Sequence, residues 1–269
     1  MRRSSLFWGA IIILIGVLLL LSNLDILTVD VWGLVWPLAL IALGLWFLLG
    51  VFFGRRGGTA PHEEVTIPLE GAGEGRIHVR HGAGVIRIDA SADPQALLSG
   101  AFAGGLDYRT DRAGGVLSVD MRVPHQGMWF LAPWQLWRGG GLAWTFGLSP
   151  EIPLSLYLET GAGEAHIDLT DLHVTDLRLQ TGASSTRLAL PAQAGYTRAK
   201  IEGGAASLSV RVPTGVAARI ETSGGLASIS VDRDRFPRQA GVYQSPDYQA
   251  AENKIDLRVE IGAGSISIT

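Results

Sequence analysis

The sequence predicts a membrane-embedded α-helical hairpin followed by an all-β repeat domain. Two apolar runs lie between residues 6 and 53, and this stretch contains only two charged residues, Asp25 and Asp30. After residue 64, apolar and polar residues alternate between glycine-containing turns, several of which recur at a fixed interval. Alternation with a period of two is typical of strands that bury one face.

The composition excludes several classes of function. Only 17% of the 269 residues are charged, which is less than the quarter or so that soluble domains carry. The absence of cysteine excludes a disulfide framework, a thiolate metal site and a cysteine nucleophile. With a formal net charge of −3, the chain lacks the basic field that binds nucleic acid, so no nucleic-acid partner is predicted.

The apolar runs predict two transmembrane helices, at residues 6–24 and 31–53, joined by a short outer loop at 25–30. At the α-helical rise per residue, the second run extends about 34 Å, enough to cross a hydrocarbon core of about 30 Å. A cleaved signal peptide is the alternative for the first run. No small-residue cleavage site follows that run, and a second apolar span comes at once, so the hairpin is favoured.

Arginines flank both outer ends of the hairpin. Arg2 and Arg3 precede the first helix, Arg55 and Arg56 follow the second, and the loop between the helices has no basic residue. Because basic residues concentrate on the cytoplasmic side, the tail at 1–5 and the β domain are both predicted to be cytoplasmic. The predicted location is the cell membrane, with a multi-pass topology.

The hairpin also carries a family resemblance. Residues 14–24 read LIGVLLLLSNL, Trp36 is followed by Pro37, and residues 43–46 read LGLW. This pattern resembles the transmembrane region shared by LiaI and LiaF proteins, which are bacterial envelope-stress proteins.

A repeat dominates the predicted β domain at residues 65–269, which follows a linker at 54–64. The turn glycines Gly161, Gly182, Gly203 and Gly224 are 21 residues apart, and a further Gly-Ala-Gly turn starts at Gly262. A fixed period with two strand-like runs per unit predicts a β-solenoid, in which each coil buries its apolar face against its neighbours. An up-and-down β-sandwich is the alternative, because a sequence does not distinguish a coil corner from a hairpin.

One segment near 121–147 interrupts the repeat and is predicted to be an insertion. It contains four tryptophans within 16 positions. Exposed tryptophan is typical of membrane interfaces and of binding hot spots. The predicted membrane or partner surface therefore consists of Trp129, Phe130, Trp134, Trp137 and Trp144. The alternative is that these rings pack on the flank of the β domain or cap its end.

A second resemblance covers residues 65–269. Its carriers are the Gly-Ala-Gly turns, the segment Leu148–Leu154, and Pro246–Tyr248 followed by Glu252–Leu257. They resemble the toastrack β domain, which is similar to the C-terminal part of LiaF and to some adhesin-like proteins. The resemblance implies a regulatory or scaffolding role in envelope stress, with a membrane histidine kinase or another envelope-stress protein as partner besides the lipid bilayer.

No catalytic, cofactor or metal site is predicted. The Gly-rich phrase at 71–76 is followed by a strand-like run rather than by the helix that a phosphate-binding loop requires. The histidines lack ligand spacing, and no Ser/His/Asp trio can be assigned. We therefore expect a non-enzymatic regulator or scaffold. The alternative is a structural or adhesin-like surface protein with an extracytoplasmic β domain. The oligomeric state is left open.

Overall fold

The computed structural model describes residues 62–124 and 142–269, and these residues form β-strands. The two predicted transmembrane helices, the tail and the outer loop lie outside the described residues. Among the residues that are described, no helix is long and apolar enough to cross a membrane. The strands are β1 (His62–Pro68), β2 (Glu74–Asp89), β3 (Ala96–Ala103), β4 (Asp107–Ala113), β5 (Val116–Arg122), β6 (Ala143–Leu148), β7 (Leu154–Asp168), β8 (Val174–Ala189), β9 (Tyr196–Arg211), β10 (Ala217–Val231), β11 (Arg238–Gln239), β12 (Val242–Gln244) and β13 (Lys254–Ile268).

Six long strands form the centre of one open sheet, in the order β2-β7-β8-β9-β13-β10, and every neighbouring pair is parallel. The predicted all-β class is confirmed. Parallel, in-register neighbours are what stacked coils require, whereas an up-and-down sandwich requires antiparallel ones. In the long strands the alternation of buried and exposed residues changes phase at a central glycine, and we call this point the bend. The part of a strand before the bend is its first arm, and the part after it is its second arm.

Apolar rungs run across the sheet because every strand alternates with the same period. In the second arms, the rung of Ile88, Ile167, Leu188, Val210 and Ile268 joins five adjacent strands, and each of these side chains is at most 2% exposed. Burying one such side chain stabilises the fold by about 1.5–3 kcal/mol. The rungs therefore hold the strands in one register, since a slip by one residue would turn each rung to water.

The order of the strands differs from the consecutive stacking that the repeat predicts. Strand β13 lies between β9 and β10, pairing with both along its length. The apolar alternation of β13 matches both neighbours, so Ile266 joins a rung between Leu208 of β9 and Ile229 of β10. The side chain of Asn253, just before β13, accepts a hydrogen bond from the backbone N–H of Gly195, just before β9, at 3.0 Å. This contact aligns the starts of the two strands.

The two ends of the stack are covered differently. At one end, the first arm of β2 pairs with β5, which pairs with β4, and its second arm pairs with β6, which leads to β3 and β1. At the other end, β10 pairs with β12 at Arg219 and Ile220. In the part of the chain that the structure describes, the residues of β10 beyond Ile220 have β13 as their single strand neighbour.

Candidate interaction surface

A ladder of glycines forms the bend and leaves a furrow without side chains across the sheet. It consists of Gly82, Gly161, Gly182, Gly204, Gly262 and Gly225, in the order of the strands. A Cβ atom on Gly161 would lie 2.1 Å from the carbonyl oxygen of Gly82, and one on Gly182 would lie 2.5 Å from that of Gly161. The bend therefore stacks backbone directly on backbone, which requires glycine.

Two of the predicted turn glycines stand one residue before this ladder. Gly203 pairs with Thr181 and Ile261, and Gly224 also pairs with Ile261, so neither lies beside a ladder glycine. Their neighbours Gly204 and Gly225 occupy the bend instead. The intervals along the ladder from Gly161 are thus 21, 22 and 21 residues rather than three of 21.

An open groove of about 920 Å³ runs along the bend over several strands. A polar row lines it on the first arms, and the row pairs across the sheet from β2 to β13 as Arg80, Glu159, Gln180, Glu202 and Glu260. Two residues earlier, a second row on the same face consists of His78, Tyr157, Arg178, Lys200 and Arg258. We call these two rows and the groove the ladder face.

Charges on the ladder face compensate one another. Lys200 pairs with Glu202, and Arg258 donates to Glu260 at 2.7 Å. Side-chain hydrogen bonds from Lys200 and Gln180 lower the pKa of Glu202. Asp120 on β5 lies 2.6 Å from Arg80. Partial burial alone would raise the pKa of Asp120, but the hydrogen bond and the charge of Arg80 lower it. The face therefore offers a row rich in glutamate beside a row rich in arginine and lysine, rather than a field of one sign.

Of the five residues in the predicted tryptophan surface, the structure describes only Trp144, and Trp144 lies in the core. Trp129, Phe130, Trp134 and Trp137 lie outside the described residues. Trp144 lies on β6 and is fully buried, with its ring 5.3 Å from that of Phe102 in an edge-to-face arrangement. Its side chain therefore fills the interior instead of facing a membrane or a partner.

The predicted insertion is also narrower than residues 121–147. Met121 and Arg122 end β5, and Ala143–Leu148 form β6 between β2 and β3. Apolar alternation in these flanks is the signal for strands, but the neighbouring tryptophans obscure it.

His81 lies beneath the groove and is buried. Its ring centroid is 5.0 Å from that of Trp144, and burial lowers its pKa to about 4, although a hydrogen bond with the backbone of Leu142 opposes the shift. Neither His81 Nε2 nor Trp144 Nε1 has a hydrogen-bond partner among the described residues. Those residues also contain no group of three His, Asp or Glu side chains placed to hold a metal ion. His81 is thus a neutral core residue at ordinary pH.

Two family matches agree with this architecture. Residues 6–48 match the LiaI-LiaF-like transmembrane region, and residues 56–211 match the N-terminal domain of toast_rack, DUF2154. These matches define the class as a membrane-associated protein, and neither description names an enzymatic activity. Because the second match covers more than half of the sequence, the chain belongs to the toast_rack family. The predicted resemblance to LiaF-like proteins is confirmed.

One solved structure has a similar fold. It is the crystal structure of a "putative cell adhesion protein" from Clostridium sporogenes, which is 17% identical and superposes with a TM-score of 0.67. The match covers 77% of this chain and 98% of that chain. At this identity the likeness concerns the fold alone. No curated protein matches the chain.

Proposed function

We propose that the chain regulates or scaffolds a membrane signalling partner in the envelope-stress response, with a membrane histidine kinase as the favoured partner. The observation that carries the proposal is the union, in one chain, of a LiaI-LiaF-like transmembrane region with a toast_rack domain. The hairpin keeps the β domain close to the bilayer, where a membrane partner is also confined.

The ladder face is the surface that we propose for docking. Its two rows present both signs of charge at fixed spacings on a rigid sheet. Such a pattern contributes specificity and register by complementarity with a protein surface, because a wrong partner brings like charges together. The glycine furrow beside it admits a protruding backbone or side chain without a clash.

Charge reversal on one strand tests the docking surface. Arg178 and Arg187 are both exposed on β8, but Arg178 lies on the ladder face and Arg187 on the outer face of the second arm. We expect Arg178→Glu in the full chain to reduce co-purification of a histidine kinase from native membranes by about tenfold, because it reverses the charge of the side chain between Tyr157 and Lys200.

The matched control is Arg187→Glu, which makes the same chemical change on the same strand and should leave co-purification unchanged. Both variants should keep the wild-type melting temperature, because both sites are exposed. Equal loss in both variants, or in neither, would contradict docking on the ladder face.

Topology separates this proposal from its alternative, a surface protein with an extracytoplasmic β domain. The Clostridium sporogenes protein that shares the fold is described as a cell adhesion protein, which motivates the alternative, whereas the flanking arginines favour a cytoplasmic domain. Since the chain lacks cysteine, a Ser267→Cys variant carries a single thiol on the exposed face of β13. We expect an impermeant thiol reagent to label it only after the cells are permeabilised.

Labelling of Ser267→Cys in intact cells would instead support the adhesive role. The cysteine must stand at an exposed position, and a buried serine such as Ser245 would give a misleading result. Ser245 is 5% exposed, and its hydroxyl accepts a hydrogen bond from the backbone N–H of Ala218 at 2.9 Å. A thiol there would resist the reagent on either side of the membrane.

A further inference from the structure

Among the residues that the structure describes, the second arm of β10 is a sheet edge without the usual protection. Its residues, 226–231, contain no charged residue and no proline. Natural sheets blunt a free edge with lysine, proline, a bulge or a covering element, because unpaired N–H and C=O groups recruit another strand. At the opposite end of the described sheet, three strands cover the second arm of β2. Among the described strands, the second arms are therefore covered at the β2 end of the sheet and uncovered at the β10 end.

A large apolar side chain stands at the corner of this edge strand. The residue just after the ladder glycine is alanine in the five preceding strands, at Ala83, Ala162, Ala183, Ala205 and Ala263. In β10 the same position is Leu226, and 86% of its side chain is exposed. Nothing in the stack requires a leucine there, since alanine suffices in the other five strands.

A second apolar residue points the same way. Ile229 continues the inward rung of Leu208 and Ile266, which are 2% and 1% exposed, yet Ile229 itself is 37% exposed. It is exposed because the described residues place no strand beyond it. Within the described part of the chain, the apolar core of the stack is thus open at this edge.

We propose that a second copy of this chain docks here, with the second arms of the two β10 strands pairing antiparallel about a two-fold axis. The edge is neutral, so two copies meet without like-charge repulsion, whereas a charged partner strand would find no counter-charge on it. In this pairing Ala227, Ile229 and Val231 of both copies face inward together, so the open rungs of one copy meet those of the other. Copies in one membrane share an orientation, which suits a two-fold axis along the membrane normal.

Single cysteines in the full chain test the geometry, because the native sequence has none. In a two-fold pairing, only the residue on the axis faces its own counterpart. A residue two positions away is separated from its counterpart by about 14 Å along the strands, and thiols whose Cα atoms are more than about 7 Å apart do not bridge. We place one cysteine at a time at positions 227–230 and oxidise each variant mildly in native membranes. The yield of a disulfide-linked species of twice the chain mass should have one sharp maximum, at the position nearest the axis.

Ser209→Cys is the matched control. Ser209 shares a rung with Ser230 but lies on β9, two strands inside the edge. Its two copies would be about 24 Å apart at the usual strand spacing, so it should not cross-link. A flat profile across the scan, or cross-linking of Ser209→Cys as strong as the maximum, would overturn the proposal.

A charged substitution tests the same edge without oxidation. Ile229→Lys in the detergent-solubilised full chain should weaken self-association at least about tenfold, because two ammonium groups would meet across the axis. Ser228→Lys is the second variant, in case Ile229→Lys impairs folding. Ser228 lies on the exposed outer side of the strand, so its replacement keeps the core rung and should also weaken self-association. A wild-type chain that sediments as a monomer at micromolar concentration would overturn the proposal. Cross-linking of the edge to a polypeptide of another mass would also do so.

Discussion

Gly161→Ala should destabilise the β domain far more than Gly204→Ala, although both changes add one methyl group to the same ladder. A Cβ on Gly161 would lie 2.1 Å from the carbonyl oxygen of Gly82, whereas one on Gly204 would lie 3.2 Å from that of Gly182. Neither glycine has a positive φ, so backbone strain contributes to neither change. The pair therefore isolates the effect of close approach between stacked backbones.

The magnitude follows from the size of the overlap. At 2.1 Å, about 1 Å of backbone displacement is needed, and the carbonyl cannot rotate away because both neighbouring strands hold it in register. Overpacking of this kind costs about 1–3 kcal/mol, and the rigid partner places Gly161→Ala toward the upper end. For Gly204→Ala, a shift of a few tenths of an ångström suffices. That cost is offset by the 0.4–1 kcal/mol or so that alanine contributes by restricting the unfolded chain.

Thermal melting of a fragment spanning residues 57–269 is the suitable assay. The Clostridium sporogenes chain consists almost wholly of this fold, so a fragment without the transmembrane region should fold. At about 2–4 °C per kcal/mol for a domain of this size, Gly161→Ala should lower Tm by about 5–10 °C and Gly204→Ala by less than about 2 °C. Equal shifts, or a neutral Gly161→Ala, would refute the stacked-backbone explanation of the bend.

Two further predictions follow from the core and the register. Burial lowers the pKa of His81 in the folded state to about 4, from an ordinary value of 6.5. The unfolded state therefore binds more protons, and stability falls as the pH drops between these values. Wild type should lose about 2–3 kcal/mol relative to His81→Phe between pH 7.5 and 4.5 in urea unfolding, and parallel curves would exclude this linkage. Deleting residues 183–204 should leave a folded domain by circular dichroism, since it joins the first arm of β8 to the second arm of β9 in register. Deleting residues 183–203 should prevent folding of the domain, because the shift by one residue turns Leu208 outward. Two equally stable deletions would contradict the 22-residue offset between β8 and β9.

The register at the bend was recoverable from the sequence by a different count. In β2, β7, β8 and β9 the ladder glycine stands three residues after the last inward apolar residue of the first arm, as Gly161 follows Leu158 and Gly204 follows Ile201. Counting from leading glycines selects Gly203 instead, because glycine is locally acceptable at both positions of a Gly-Gly pair. Side-chain alternation decides between them, since it determines which residue reaches the corner.

The period-two pattern was sufficient to predict the all-β class, because alternation is a property of each strand alone. The position of β13 between β9 and β10 was not predictable in the same way. Its rungs match both neighbours equally well, and the choice depends on contacts distant in sequence, such as that between Asn253 and Gly195. Trp144 failed as a surface prediction for a related reason. Its burial comes from packing against Phe102 and His81, on strands that precede it by tens of residues.

The inserted position of β13 has a consequence for the proposed dimer. Strands β9 and β10 are neighbours in sequence but meet in the sheet only through β13, which follows both along the chain. The inner side of β10 is therefore paired only after residues 254–268 have joined the sheet. Before that, β10 has two free edges and no defined inward face, so a second copy could pair with either. Insertion of β13 leaves one edge, with Leu226 and Ile229 on it, and pairing through that edge requires each chain to have folded first.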